Sequence, residues 1–139
     1  MTAKEYLNRV RRQNYILKQT EKELNEIRAD ILTLRASSLS EHVSGSKNSD
    51  TADKYIRLES YMEKVNAEWD KLIDMRNAAK DLIGAMPDPM HRAILYARYI
   101  NGQRWEDIAM DMHYSWKGIF KLHGQALRVF DQMHGDKLS

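Results

Sequence analysis

The feature that most constrains this chain is a run of nine positions stepping by three and four without a slip. Tyr55, Leu58, Met62, Val65, Trp69, Leu72, Arg76, Ala79 and Ile83 fall on one side of an α-helix, because a 3.6-residue turn returns i+3, i+4 and i+7 to the same face. Arg76 alone breaks the apolar stripe. A stripe so long and narrow needs another to cover it, and one lies upstream. Leu7, Val10, Leu17, Leu24, Ile27, Ile31 and Leu34 repeat the spacing, with Asn14 and either Thr20 or Glu21 in the gaps. Thr2 and Glu5 frame its start as a capping box, each side chain satisfying an orphan backbone N–H. The spacing therefore predicts helices over roughly 3–36 and 51–83, paired as a coiled-coil-like antiparallel hairpin within residues 1–84.

Between the two stripes, residues 37–50 hold six serines with Gly45 and Asn48 and no sustained period. That predicts a flexible connector, with a short turn over Leu39–Val43 as the ordered alternative. Two helices alone make a thin core, so a homodimer through the long helices, forming a four-helix bundle, is expected.

Composition agrees with charged helices carrying narrow apolar stripes. Hydrophobic residues make up 42% and charged residues 30%, the mean hydropathy is −0.68, and only 6 Gly and 2 Pro interrupt the chain. The absence of cysteine excludes disulfides and thiolate metal sites. No apolar leader opens the chain and no apolar stretch could cross a bilayer, so a soluble, cytoplasmic protein with no membrane partner is expected. A net charge of +2 identifies no partner.

The remaining third, residues 87–134, reads as a separate three-helix unit. Asp88 is an N-cap and Pro89 sits at N1, where its missing N–H costs nothing. This helix is predicted to run to Ile100 and stop at Asn101-Gly102. A short helix follows from Trp105 to Met112, then a tight turn at His113-Tyr114, a cap at Ser115, and a last helix to about Met133. Helix, three-residue turn, longer helix is the geometry that lays a second helix in the DNA major groove. Ile94, Leu95, Tyr99 and Ile100 would pack on Trp105, Ile108 and Met112, and on Ile119, Leu122, Ala126, Leu127 and Phe130. Ala109 is small where the two motif helices approach. The expected fold class is therefore all-α, a long helical hairpin followed by a helix-turn-helix unit.

At these residues the chain resembles region 4 of bacterial sigma factors. Arg98-Tyr99-Ile100-Asn101-Gly102 closes one helix, Trp105-Glu106-Asp107-Ile108-Ala109 opens the next, and Tyr114-Ser115, Ile119 and Ala126-Leu127 complete the pattern. Over its full length the chain resembles the small phage-encoded transcriptional regulators of Gram-positive bacteria of the RinA and ArpU type. The resemblance implies control of late phage genes through promoter DNA in a bacterial host, at the nucleoid, and leaves RNA polymerase open as a second partner. The residues placed to contact double-stranded DNA are Arg104, Ser115, Trp116, Lys117, Phe120, Lys121 and Arg128. Sigma factors carry polar base readers just after the cap, whereas this chain has Trp116, Lys117, Gly118, Phe120 and Lys121. The lysines can reach a guanine edge or a phosphate. Trp116 and Phe120 fit either thymine methyl groups or a protein-contact patch.

Charge adds to this. From Ser115 to Phe130 the chain has Lys117, Lys121 and Arg128 and no acid, while the preceding helix carries Glu106, Asp107 and Asp111. Arg9, Arg11, Arg12, Lys18 and Lys22 form a second basic cluster, for which a solvated helix face is the simpler account. His91, His113, His123 and His134 never fall three or four apart, so no helix face offers a metal-ligand pair, and no metal or cofactor is expected. Met62 and Met112 read as core filler. No nucleophile–base pair or phosphate-cradling loop is present, so an enzyme is not expected. Two alternatives to a regulator stay open. One is a coiled-coil adaptor docking RNA polymerase or another regulator; the other is a small terminase-like packaging subunit.

Overall fold

The structure, a computed structural model, describes residues 1–40 and 45–138, with side chains described for 1–36 and 52–138. The described residues are all-helical. Five α-helices follow one another: α1 (Ala3–Ser40), α2 (Gly45–Gly84), α3 (Pro89–Leu95), α4 (Trp105–Met112) and α5 (Trp116–His134). A π-helical turn, Tyr96–Ile100, extends α3, and a 3-10 turn, Gly135–Lys137, follows α5. None of the helices among the described residues is long and apolar enough to cross a membrane.

The predicted connector is shorter than its serine content implies. Residues 37–40 continue α1 and 45–50 open α2. Of the connector, 41–44 lie outside the described residues, and with them most of the turn expected over Leu39–Val43. The physical reason is helix cooperativity. Once a long helix exists, adding a residue fixes one residue for one hydrogen bond, and serine costs only tenths of a kcal/mol relative to alanine, about 0.5.

The chain groups into two compact units. The first spans Leu17–Lys71. Its core is a single seam in which Leu24, Ile27 and Ile31 of α1 are buried with Val65 of α2, and Tyr55, Leu58, Met62 and Trp69 pack against them. Arg35 pairs with Tyr55, its Nη2 donating to the phenol oxygen at 2.6 Å, while Tyr61 donates to Glu23. Thr20, buried, fills the gap in the α1 stripe, and Glu21 faces solvent.

The second unit combines Met1–Ile16 with Leu72–Ser139. Its start shows the expected capping box: the Thr2 N–H donates to Glu5 Oε2 and the Glu5 N–H to Thr2 Oγ1, both at 3.2 Å. The next orphan donor, the Ala3 N–H, reaches Asp131 Oδ1 of α5 at 3.1 Å, and Tyr6 stacks on Phe130. Asp88 caps α3, accepting from Met90 and His91 N–H groups at 2.8 and 3.4 Å. Arg92 Nη1 donates to the Met86 and Pro87 carbonyls at 2.6 and 3.1 Å, fixing the link that precedes α3.

The helix expected from Pro89 to Ile100 reaches that end, but its last five residues widen into the π-turn. The Asn101 N–H donates five residues back, to Tyr96 O at 3.0 Å. Gly102, at φ +67°, then turns the chain in a conformation open to glycine without strain. Widening frees carbonyls at the helix end, and Asn14 of α1 meets them: its Nδ2 donates to Tyr99 O at 2.9 Å and Ile100 O at 3.1 Å. That explains a buried asparagine in an otherwise apolar stripe.

The core beneath α3, α4 and α5 contains Ile94, Leu95, Tyr99, Ile100, Ile108, Ala109, Ile119, Leu122, Ala126 and Phe130, all buried. Trp105, Met112 and Leu127 are half-buried against it. Leu7 and Val10 of α1 and Ala79, Ile83 and Met86 join the same core. Each large aliphatic side chain so buried contributes about 1.5–3 kcal/mol.

Candidate nucleic-acid interface

The geometry of interest is the α4–turn–α5 corner. α4 stops where His113 adopts a left-handed conformation, φ 59° and ψ 40°, tolerated by histidine better than by most residues with a side chain. The Tyr114 N–H then donates to Ala109 O at 2.9 Å. Ser115 is extended, and its Oγ accepts the Gly118 N–H at 3.0 Å, capping α5. Gly118 belongs to that cap: a Cβ there would stand 3.0 Å from Ser115 Oγ and 3.2 Å from the Tyr114 ring. A larger residue there would make the Ser115 hydroxyl or the Tyr114 ring give by a few tenths of an ångström, so close packing accounts for glycine at this position.

Three stripes run along α5. Ile119, Leu122, His123, Ala126 and Phe130 are buried. At about 100° per residue, the opposite side carries Lys117, Lys121 and Arg128, all exposed. None of these three makes an ion pair with another described residue. Between core and cations lie Trp116, 54% exposed, and Phe120, 39% exposed. The outward orientation of both aromatics leaves them free to meet a ligand.

The aromatics form a connected run. Trp116 meets Phe120 edge-on at 4.9 Å between centroids, Phe120 meets Trp105 at 5.1 Å, and Trp105 meets His123 at 4.5 Å. The Arg98 guanidinium lies 4.7 Å from the Trp105 ring centroid, and its Nη1 donates to Gln103 O at 3.0 Å. Beneath the run, Tyr99 Oη and His123 Nε2 are 2.6 Å apart. Burial, with lesser contributions from Lys4 and Arg98, pushes His123 down to about 4. Burial pushes Tyr99 up to about 12. At neutral pH a neutral phenol and a neutral imidazole therefore share this hydrogen bond, the tautomer of the ring setting which of them donates.

Arg104 stands apart from the other cations. Its Nε is 3.2 Å from Asp107 Oδ2 and 4.0 Å from Glu106 Oε2, and the Asp107 hydrogen bond holds its guanidinium above the usual arginine range. Its charge is already shared with acids of α4. The structure thus brings Trp116, Lys117, Phe120, Lys121 and Arg128 onto adjoining faces of α5, uses Ser115 as a cap, and ties Arg104 to α4.

The sequence places Arg98 in the sigma-like pattern and His123 beside the α5 cations, but it did not reveal what either touches, nor that Asn14 belongs to this region. The burial of His123 was legible, four residues after Ile119 and three before Ala126 on the buried stripe. The contacts of Asn14 and Arg98 were not, because their partners are backbone carbonyls and an indole ring supplied by other elements. Among the described residues, no three His, Asp or Glu side chains cluster closely enough to hold a metal ion.

Residues 33–131 match the model of a family described as protein of unknown function, DUF1492. The match spans most of the chain, and the chain belongs to that family. No curated protein and no solved structure matches it.

Proposed function

We propose that this DUF1492 member is a DNA-binding regulator of transcription whose α4–turn–α5 corner works as a helix-turn-helix, with α5 entering the major groove. One observation carries the reading: α5 begins at a firmly capped turn and presents Lys117, Lys121 and Arg128 as a stripe free of acids and ion pairs with described residues. Capping fixes the start of the helix, and exposed cations along one side of it can reach the phosphates that line a groove. The resemblance to sigma region 4 and to phage late-gene regulators of the RinA and ArpU type supports the same reading, with action in the bacterial cytoplasm. The α1–α2 seam is read as the hairpin through which two copies pair. Two heads would double the number of phosphates neutralised, which suits a head carrying few cations.

The test is binding of promoter-derived duplexes across a salt series. Changing Lys117→Ala together with Lys121→Ala is expected to lower the slope of log K against log salt by about 2. An unchanged affinity and slope contradicts the assignment of α5.

The exposure of Trp116 and Phe120 favours a second reading, a protein adaptor using the same corner to dock RNA polymerase or another regulator. Exposed aromatics beside a polar rim are common anchors at protein interfaces. Polymerase capture without DNA, lost in Trp116→Ala, supports the adaptor; DNA binding insensitive to Trp116→Ala leaves that residue outside the DNA contact.

A further inference from the structure

Cations from two elements outside the α4–α5 pair converge beside the aromatic run. Asn14 donates to the carbonyls of Tyr99 and Ile100, so its face of α1 lies on the π-turn. Arg11, three residues earlier, shares that face, and its Nε is buried without a hydrogen-bond partner. Arg98 projects from the same turn over Trp105. Burial and then the nearby Arg11 hold the Arg98 guanidinium below the usual arginine range. Lys4, two turns before Arg11, is close enough to help hold down His123. The acid that acts on Arg98 is Glu106, which also lies 4.0 Å from Arg104. None of Lys4, Arg11 and Arg98 makes an ion pair with another described residue.

Gathering three like charges with no ion pair among them, and only Glu106, shared with Arg104, to offset Arg98, costs free energy that a bound polyanion returns. Two of the three are guanidiniums, whose planar fork suits phosphate oxygens. Trp105 links the group to α5, since its ring contacts both Arg98 and Phe120.

We propose that Lys4, Arg11 and Arg98, joined to α5 through Trp105, form a second contact to the phosphate backbone of the duplex that α5 engages. This rests on the DNA-binding reading of α5. It moves Arg11 out of the solvated basic cluster at the chain's start and makes the beginning of α1 part of the DNA-binding head. Such a contact positions the head and carries no sequence information.

The experiment uses the full chain and a mixed-sequence DNA duplex, with anisotropy read over a salt series. Lys4→Gln with Arg11→Gln is expected to weaken binding equally on unrelated duplexes and to lower the salt slope by about 2. Arg11→Lys, which keeps the charge, is expected to retain the slope. Lys4→Glu, at an exposed position that leaves the core intact, is expected to weaken binding more than Lys4→Gln and decides the matter if Arg11→Gln does not fold. If these variants keep wild-type affinity and slope while Lys117→Gln with Lys121→Gln lowers both, the second contact is wrong and the reading of α5 stands. If the unaltered chain fails to bind any duplex, both fall.

Discussion

The two units share the two long helices, with α3 to α5 in one of them alone, and are held together differently. In residues 17–71 the buried set is one seam, with Leu24, Ile27, Ile31 and Val65 at its centre and half-buried side chains on either side. In the unit formed by 1–16 and 72–139, all five helices contribute to the core, so that Leu7, Ile83, Ile94, Leu95, Tyr99, Ile108, Ile119 and Phe130 are almost wholly removed from water. Polar side chains also lock the latter from within: Asn14 on the π-turn, Tyr99 on His123, and His134, whose Nε2 is 2.8 Å from Leu82 O. A two-helix seam has one apolar face per helix and depends on a partner for more burial, whereas crossing helices enclose a core and can bury hydrogen-bonded groups safely.

The largest expected effect breaks that enclosed core. Phe130→Ala removes a ring packed between Tyr6 and His134 and is expected to cost about 3–5 kcal/mol in urea unfolding. Ile31→Ala in the seam, where neighbours can collapse into the space, is expected near the low end for such changes, about 2 kcal/mol. Equal costs would mean that the two cores are equivalent.

Acidification should act next, and on one unit. The folded value of His123, about 4, lies below the usual 6.5, so the unfolded chain binds that proton more readily. Its contribution is present above pH 6.5 and is lost as pH falls toward 4. His123→Gln is expected to flatten the decline in thermal midpoint over this window; parallel declines would remove His123 from the account.

Asn14→Ala leaves the Tyr99 and Ile100 carbonyls without their buried donor and is expected to cost about 1–3 kcal/mol. Ser115→Ala removes the α5 cap for about 1 kcal/mol, with circular dichroism melts as the readout for both. A cost for Asn14→Ala below that of Ser115→Ala would show water replacing the amide at the π-turn.

Much of this was readable from residue spacing. The three-and-four stripes located both long helices, and local chemistry placed the Thr2–Glu5 box, the Asp88 cap with Pro89, and the turn before Ser115, because each motif is completed within a few residues. Features completed by distant residues were not readable. Nothing near Asp131 announces that it caps the start of α1, and nothing near Asn14 announces carbonyls 85 positions away. The serines after Ala36 suggested a loop where cooperativity carries helix further. For the candidate site, the cations and aromatics of α5 were identifiable from sequence, but not the commitment of Arg104 to Asp107 or the gathering of Lys4, Arg11 and Arg98.

Whether α5 is the surface that meets DNA is decided by amide chemical-shift mapping of the full chain titrated with a DNA duplex. Shifts are expected to concentrate in residues 115–128, to be strongest at Trp116, Lys117, Phe120 and Lys121, and to be reversed by added salt. Shifts confined to residues 17–71, or none on α5 at saturating duplex, would contradict the DNA-binding reading of α5.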